Sequence, residues 1–146
     1  MRVTDNPPDD LVGRKLGPAF LAPYATREYV EQHRPLEPDS QAKLIGYGNP
    51  STWECRHGLD HLSVIGYFDH MSLQATLACQ GVGVASLPIM IGDYEPNLVR
   101  VCEPVQNADV WLLYHTDLRY TSRVRAVRDF LQQTVNERFE LIQQNI

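Results

Sequence analysis

The chain has few cysteines and lacks long apolar runs. Its three cysteines, Cys55, Cys79 and Cys102, are odd in number and far apart, which favours reduced thiols in the cytoplasm over a disulfide framework. No apolar run approaches the roughly 20 residues of a membrane span, and the N-terminal residues lack the apolar core of a signal peptide. These absences predict a cytoplasmic protein with no membrane partner.

Positive charge is also scarce. The chain has 13 Lys and Arg against 18 Asp and Glu, a formal net charge of -5, and no stretch gathers the basic cluster that phosphate contacts require. Arg123, Arg125 and Arg128 share a predicted helix with Asp129 and Glu137, so they predict a solvated face, not a phosphate patch. The sequence therefore predicts no direct contact with DNA.

What is present is typical of a folded α/β protein. The 146 residues, 43% hydrophobic and 21% charged, suffice for one domain or for two small lobes with a core. Alternating apolar patterns bounded by Gly and Pro predict strands. These are Met1–Thr4, Leu11–Pro18, Ala19–Pro23, Lys43–Gly48, Trp53–Arg56, Leu62–Phe68, Val82–Leu87, Leu98–Cys102 and Asp109–His115. Helices are predicted to begin after Thr26, near Met71, at Pro88 and after Thr121 or Ser122.

The middle of the chain predicts a strand–helix–strand unit. A strand at Leu62–Phe68 precedes a helix at Met71–Gln80, with Leu73, Leu77 and Ala78 predicted on its buried face and Gly81 as its stop. The following strand, Val82–Leu87, is apolar throughout, as expected of a strand buried on both faces of a parallel sheet. This spacing is that of a βαβ unit.

Three segments resemble LysR-type transcriptional regulators. Residues 69–88, DHMSLQATLACQGVGVASLP, resemble the second-lobe signature of that family: an acidic or amide residue, an Ala- and Leu-rich helix, Gly-x-Gly, a small apolar strand and Leu-Pro. Leu11–Pro18 is similar to its Leu-Val-x-Arg-x-Leu-Gly-Pro segment. Val110–Leu131 is similar to its closing strand and helix. The order of the three segments is more specific than any one of them.

The resemblance implies the effector-binding domain of such a regulator, with an α/β, type 2 periplasmic-binding-protein-like fold. It assigns 1–16 to the end of the first lobe and the crossover, 17–105 to the second lobe, and 106–146 to the return strand and C-terminal helix of the first lobe. The family's helix-turn-helix domain, linker helix and first half-lobe have no counterpart here, so we expect a chain truncated at its N-terminus. The implied activity is sensing of a small-molecule effector through lobe and dimer rearrangement, without catalysis or cofactor.

The junction between Phe68 and Ser72 is the predicted ligand site. Ligands of open α/β sheets bind beyond the carboxyl ends of strands, where helix amides point outward, and the resemblance implies small organic acids as effectors. The alternative is that Asp69 or Ser72 only caps its own helix. The candidate ligand-binding residues are Thr4, Asp69, His70, Met71, Ser72 and Ser86. Thr4 is alternatively part of a frayed terminus, and Ser86 a packing residue bonded to backbone.

Two other kinds of site have candidate residues in the sequence. Cys55, His57, Asp60 and His61 are metal-ligating types, but Gly58 argues against the helix that would join the two histidines, and we predict no metal. A small enzyme using Cys55 with His57 or His61 is one alternative function, and a periplasmic-type solute-binding protein is another. Cys79 is predicted to be a small buried residue.

The C-terminal elements predict self-association. Without further strands of a first-lobe sheet, an apolar surface on these elements would lie partly in water. It would be formed by Trp111, Val127, Phe130 and Leu131, together with Leu113 and Val124. An open strand edge beside them would favour pairing with another chain. We therefore predict a homodimer or higher homo-oligomer through these residues.

Overall fold

The computed structural model describes residues 2–47, 56–118 and 121–143, and within the last helix the side chains up to residue 135. The strands are β1 Arg2–Val3, β2 Leu11–Thr26, β3 Lys43–Tyr47, β4 Ser63–Phe68, β5 Val84–Pro88, β6 Leu98–Arg100 and β7 Val105–His115. The helices are α1 Arg27–His33, α2 Met71–Cys79, α3 Ile89–Gly92 and α4 Ser122–Gln143, with a 3-10 turn at Thr116–Leu118.

The predicted elements in the described residues are confirmed with small shifts of their ends. The two segments predicted between Leu11 and Pro23 form one strand of 16 residues, β2. The predicted strand at Trp53–Arg56 lies outside the described residues apart from Arg56, which is helical and not extended. Two residues predicted to bound helices are also confirmed: Thr26 caps α1 by accepting a hydrogen bond from the Tyr29 amide, and Gly81 follows α2 with a φ of 70°. Pro88, predicted to be the first residue of a helix, instead ends β5 and lies one residue before α3 begins.

The contacts divide the chain into two units. The first unit is Met1–Ala19 with Gln106–Ile146, and the second is Phe20–Val105. The assignment of 1–16, 17–105 and 106–146 to lobes of the family fold stays a prediction.

In the first unit, β1 pairs antiparallel with β7, with Val3 opposite Val110. The start of β2 lies against β7 so closely that a Cβ added at Gly13 would be 2.0 Å from the Leu112 carbonyl oxygen. Lys15 Nζ lies 2.6 Å from an Asp109 carboxylate oxygen. A cavity of about 290 Å³ lies between β7 and α4, with an apolar lining that includes Leu112, Leu113, Val124, Val127 and Leu131.

In the second unit, β3 lies between β4 and β5 and is parallel to both. The end of β2 is antiparallel to β5 and to β6. The βαβ prediction is thus confirmed in that β4 and β5 run parallel around α2, with β3 between them. A bulge at Ile65 interrupts the register of β4 on β3, since Leu44 faces Val64 and Ile45 faces Gly66. A core cluster is formed by Ala25, Tyr29, Ala42, Leu44, Leu59, Leu62 and Val84.

The predicted buried face of α2 is wrong for Leu73. The buried residues are Gln74, Ala75 and Ala78, whereas Leu73 is 42% exposed. Gln74 Nε2 donates to the Gly46 carbonyl at 3.3 Å and to the Phe68 carbonyl at 2.7 Å. The buried Gln74 amide donates to carbonyls at the ends of β3 and β4. The small side chains of Ala75 and Ala78 allow the helix to approach the sheet.

Candidate ligand-binding site

The site lies at one edge of the second unit's sheet. Because β3, β4 and β5 are parallel, their carboxyl ends at Tyr47, Phe68 and Pro88 meet at the same edge. Helix α2 begins at Met71, three residues after the end of β4. The edge therefore carries the N-terminus of a nine-residue helix, in the position where open α/β sheets bind ligands.

The first two amides of α2 have no acceptor within the helix. Its N-cap is His70, whose backbone is extended (φ -107°, ψ 115°) and whose side chain makes no capping hydrogen bond. The amides of Leu73 and Gln74 donate to the His70 carbonyl, each at 3.1 Å. Helix geometry gives the amides of Met71 and Ser72 no intrahelical acceptor. These two N–H groups, at the positive end of the helix dipole, form a candidate anion site.

The predicted side chains around this terminus are accessible. Asp69, His70 and Ser72 are exposed and Met71 is partly exposed. The N-cap position of α2 is held by His70, not by Asp69 or Ser72, and the role of these two side chains stays a prediction. The structure brings these four residues together at the start of one helix.

Gln74 lies beneath the helix terminus and was not anticipated from the sequence. Its side chain is fully buried, and its Oε1 has no hydrogen-bond partner in the described part of the chain. Its two donated bonds connect α2 to β3 and β4 at the strand ends. The only sequence signal for this residue is its place one helical turn before Ala78, on the side that becomes buried.

Ser86 and Thr4 lie in different units. Ser86, in β5 of the second unit, is 8% exposed, and its buried hydroxyl has no partner among the described residues, so the predicted bond to backbone is not found. The Thr4 hydroxyl, in the first unit, accepts from the Asn6 amide at 3.2 Å and donates to the Asn6 carbonyl at 3.1 Å. The Thr4 amide bonds to the Asp109 carbonyl, so this residue is held by both its backbone and its side chain.

The cysteines and histidines form no metal cluster within residues 2–47, 56–118 and 121–143; Cys55 lies outside these ranges. Cys102 Sγ is 3.5 Å from His57 Nδ1. Burial, with the charge of Arg56, lowers the pKa of His57, and burial, with the charge of Glu103, raises the pKa of Cys102. Cys79 ends α2 partly buried, with Sγ 3.9 Å from a Glu95 oxygen.

A half-buried polar cluster holds β2, β6 and the end of α3 together. The Tyr24 hydroxyl donates to Asp93 Oδ1 at 2.7 Å, and Arg100 Nε donates to the same oxygen at 2.8 Å. Burial alone would raise the pKa of the Asp93 carboxyl, but the hydrogen bonds from Arg100 and Tyr24 outweigh it and lower that pKa. Burial raises the pKa of Tyr24 well above its ordinary value. The cluster has the chemistry of a structural ion pair.

The mixed sheet, its covering helices and the open helix terminus at a strand edge define an α/β ligand-binding domain, of the type 2 periplasmic-binding-protein-like fold. More particularly, the chain belongs to the LysR substrate-binding domain family, whose sequence model matches residues 1–136. The fold and family predicted from the sequence are thereby confirmed.

Individual relatives agree with this assignment. The chain is 28% identical, over 92% of its length, to a probable HTH-type transcriptional regulator LtrA from Klebsiella pneumoniae, and it spans 50% of that protein. The regulatory domain of CrgA from Neisseria meningitidis has a similar fold, with a TM-score of 0.70 at 17% identity, covering 91% of this chain and 74% of that one. The AmpR effector-binding domain from Citrobacter freundii has a TM-score of 0.73 at 15% identity, covering 93% and 73%. No helix of the described residues is long and apolar enough to cross a membrane.

Proposed function

We propose that the second unit binds a small organic anion at the N-terminus of α2, as the effector-sensing part of a LysR-type transcriptional regulator. The observation that carries this proposal is the pair of Met71 and Ser72 amides without intrahelical acceptors, beside the exposed His70. A carboxylate accepting from both amides gains charge-assisted hydrogen bonds and the favourable helix dipole.

The side chains then set the effector's orientation. The His70 imidazole and the Ser72 hydroxyl donate to the anion, and the exposed Asp69 carboxylate accepts from a hydroxyl or amino group elsewhere on the effector. We assign Ser86 a contribution from β5, where its buried hydroxyl has no partner among the described residues. A ligand-binding role for Thr4, in the first unit, stays a prediction; its hydroxyl forms a turn with Asn6.

The regulatory step is a shift between two arrangements of the protein. An effector shifts such an equilibrium only by the difference in its affinity for the two states. We assign DNA contact to a helix-turn-helix domain outside this acidic chain, place the protein in the cytoplasm, and propose a homodimer through the C-terminal elements. This role requires no catalysis.

A cysteine-dependent enzyme is a weaker proposal. Its predicted nucleophile, Cys55, lies outside the described residues. Thiol nucleophiles act as thiolates beside a positive group, whereas burial, with the charge of Arg56, lowers the pKa of the predicted base His57 and favours its neutral form. A periplasmic-type solute-binding protein would share the fold, but the family match favours the regulator.

The effector site is tested by removing one amide. Proline is tolerated at the first helical position, and the extended backbone of His70 suits a residue before proline. Met71→Pro therefore removes one N–H while keeping α2. We expect it to weaken the binding of a responsive small organic acid by about 10- to 100-fold, as the loss of one charge-assisted hydrogen bond predicts.

The measurement is an amide-resolved NMR titration with a panel of mono- and dicarboxylic acids, which also detects weak binding. In the unsubstituted chain the Met71 and Ser72 amides should shift. Met71→Leu should bind like the unsubstituted chain, Ser72→Ala and His70→Ala should weaken binding, and His57→Ala should not. Saturable shifts confined to another part of the chain, or equal affinity in Met71→Pro and Met71→Leu, would refute the site.

A further inference from the structure

The cavity between β7 and α4 has the size and lining of a small-molecule site. Its volume is about 290 Å³, and an apolar cavity of about 150 Å³ is enough to hold benzene, so this one has room for an apolar body of up to roughly ten carbon atoms. Val127 is 57% exposed, so the cavity opens to solvent on that side. The apolar part of its wall comes from Leu112, Leu113 and Tyr114 of β7 and from Val124, Val127 and Leu131 of α4.

Two arginines of α4 complete the wall, and they differ in their partners. Arg128 donates from Nε and Nη2 to an Asp129 carboxylate oxygen, at 2.9 and 2.7 Å, so its charge is balanced by its neighbour. Arg123 lines the cavity and is exposed, and none of the ion pairs found in the described residues includes it. The cavity therefore has one guanidinium that is not committed to a carboxylate.

The charge at this cavity is opposite to that of the chain. The whole sequence has a formal net charge of -5, whereas Arg123, Arg128 and Asp129 together give +1 beside the apolar wall. A guanidinium binds a carboxylate through two parallel hydrogen bonds, and the apolar wall gains by covering hydrocarbon. An occupant that uses both features is an anion with an apolar body. A free phosphate would leave the apolar wall in water, and a neutral hydrocarbon would leave Arg123 without a partner.

We propose that this cavity binds a monocarboxylic acid with an apolar body, of the medium-chain or arylalkanoic class, whose carboxylate accepts from Arg123. The site lies wholly in the first unit, so it is separate from the proposed effector site at the start of α2 and does not depend on it. Phe130 does not line the cavity, so the exposed apolar face that includes it is a neighbouring surface. The chain would then respond to two acids of different chemistry, one small and polar and one amphipathic.

The first test separates the contribution of the apolar body from that of the carboxylate. The probes are octanoate, butyrate and 1-octanol, titrated by calorimetry and by NMR of the leucine and valine methyl groups. Octanoate should bind at least about tenfold more tightly than butyrate, because each buried CH₂ group adds to the affinity. It should bind about three- to tenfold more tightly than 1-octanol, because only the acid pairs with the exposed Arg123 guanidinium.

Two substitutions on α4 test the two halves of the site. Arg123→Gln should weaken octanoate binding about three- to tenfold and leave the binding of 1-octanol unchanged, which a general disturbance of the helix would not do. Val124→Phe should fill part of the cavity and weaken both probes at least about tenfold. Arg125→Gln is the matched control, since Arg125 is exposed on the same helix but does not line the cavity, and it should bind both probes like the unsubstituted chain.

Met71→Pro distinguishes this site from the effector site, because it should leave octanoate binding unchanged. Octanoate that binds no better than butyrate, or binding that is lost in Met71→Pro and kept in Val124→Phe, would overturn the proposal. Affinity for octanoate that falls as the protein concentration rises would make a second copy of the chain the occupant instead, and would also overturn it. Circular dichroism melts confirm that each variant is folded, and Arg123→Gln still decides the matter if Val124→Phe is not.

Discussion

At the scale of the residue, Gln74 occupies a buried place where hydrophobic patterning predicts leucine. Hydrophobic patterning ranks residues by apolarity alone, so it gives no information on the two carbonyls at the strand ends that need a hydrogen-bond donor. Gly46 and Phe68 supply those carbonyls from β3 and β4, and their approach to α2 exists only once the sheet has formed. The site geometry beneath Met71 and Ser72 thus depends on a residue that the sequence pattern does not identify.

Replacement of Gln74 by a residue of similar size but without donors tests this role. Gln74→Met should lower the free energy of unfolding by about 1 kcal/mol, because two carbonyls lose their donor while removal of the unpartnered Oε1 offsets part of that loss. Urea denaturation measures the change. Leu73→Gln, next to it on the exposed side, should stay within about 0.5 kcal/mol of the unsubstituted chain. A larger loss of stability in Leu73→Gln than in Gln74→Met would instead support Leu73 as the buried residue, as the sequence predicts.

Asp93 makes stability depend on pH at acid values. Its folded-state pKa is depressed by Arg100 and Tyr24 despite burial, so its contribution is fully present above the ordinary carboxyl pKa and is lost as pH falls through the folded value. Asp93→Asn should cost on the order of 1–2 kcal/mol near neutral pH and flatten the acid limb of the stability profile. Urea denaturation at a series of pH values, from neutral down to the lowest pH at which the chain folds, measures both the loss of stability and its pH dependence. If the free energy of unfolding of Asp93→Asn falls with pH as steeply as that of the unsubstituted chain, Asp93 does not have this role.

At the scale of the element, the ends of the helices were predictable from the sequence, and the contacts between side chains far apart in the chain were not. Thr26, Gly81 and Pro88 act on backbone within a few residues, so local rules predict the ends of α1, α2 and α3. The hydrogen bond from Tyr24 to Asp93 joins residues 69 positions apart. No local pattern contains that pairing, because it depends on how β2 and the end of α3 come to lie side by side.

The close approach of β2 to β7 in the first unit should depend on Gly13. A Cβ at this position would meet the Leu112 carbonyl at 2.0 Å, and a strand backbone cannot move aside as a side-chain end can. Gly13→Ala should therefore destabilise this unit by about 1–3 kcal/mol. Fluorescence of Trp111 in a Trp53→Phe background follows unfolding at β7.

Gly66→Ala is the matched strand control for Gly13→Ala, since its Cβ would meet only the Phe68 ring, at 3.4 Å. Gly66→Ala should lower the free energy of unfolding by well under half as much as Gly13→Ala does. Equal losses in the two variants would show that the intrinsic strand preference of glycine, not the Leu112 contact, sets the effect.

At the scale of the whole molecule, the family was predictable because three motifs occur in order, and each occupies defined elements of the structure. Leu11–Pro18 lies in β2, residues 69–88 include α2 and β5, and Val110–Leu131 includes parts of β7 and α4. The candidate site followed from a general property of strand and helix ends, so it was predictable as a position. Its effector was not, because amide donors specify an anion and not a particular compound.

The exposed face of α4 argues for the assembly that the sequence predicts. Val127 and Phe130 are 57% and 67% exposed, beside the apolar lining of the cavity between β7 and α4. An apolar face of this kind gains by burial against a second copy. Light scattering at micromolar concentration should report a dimer or larger species, and Phe130→Asp should lower the average mass. Arg125→Asp, exposed on a different side of α4, should leave it unchanged.

Phe130→Asp should bring the average mass toward the monomer mass of 16.6 kDa, because a carboxylate in the buried contact loses its hydration without gaining a partner. A homogeneous monomer of the unsubstituted chain at micromolar concentration would contradict this interface. An unchanged mass in Phe130→Asp would show that self-association does not use the α4 face.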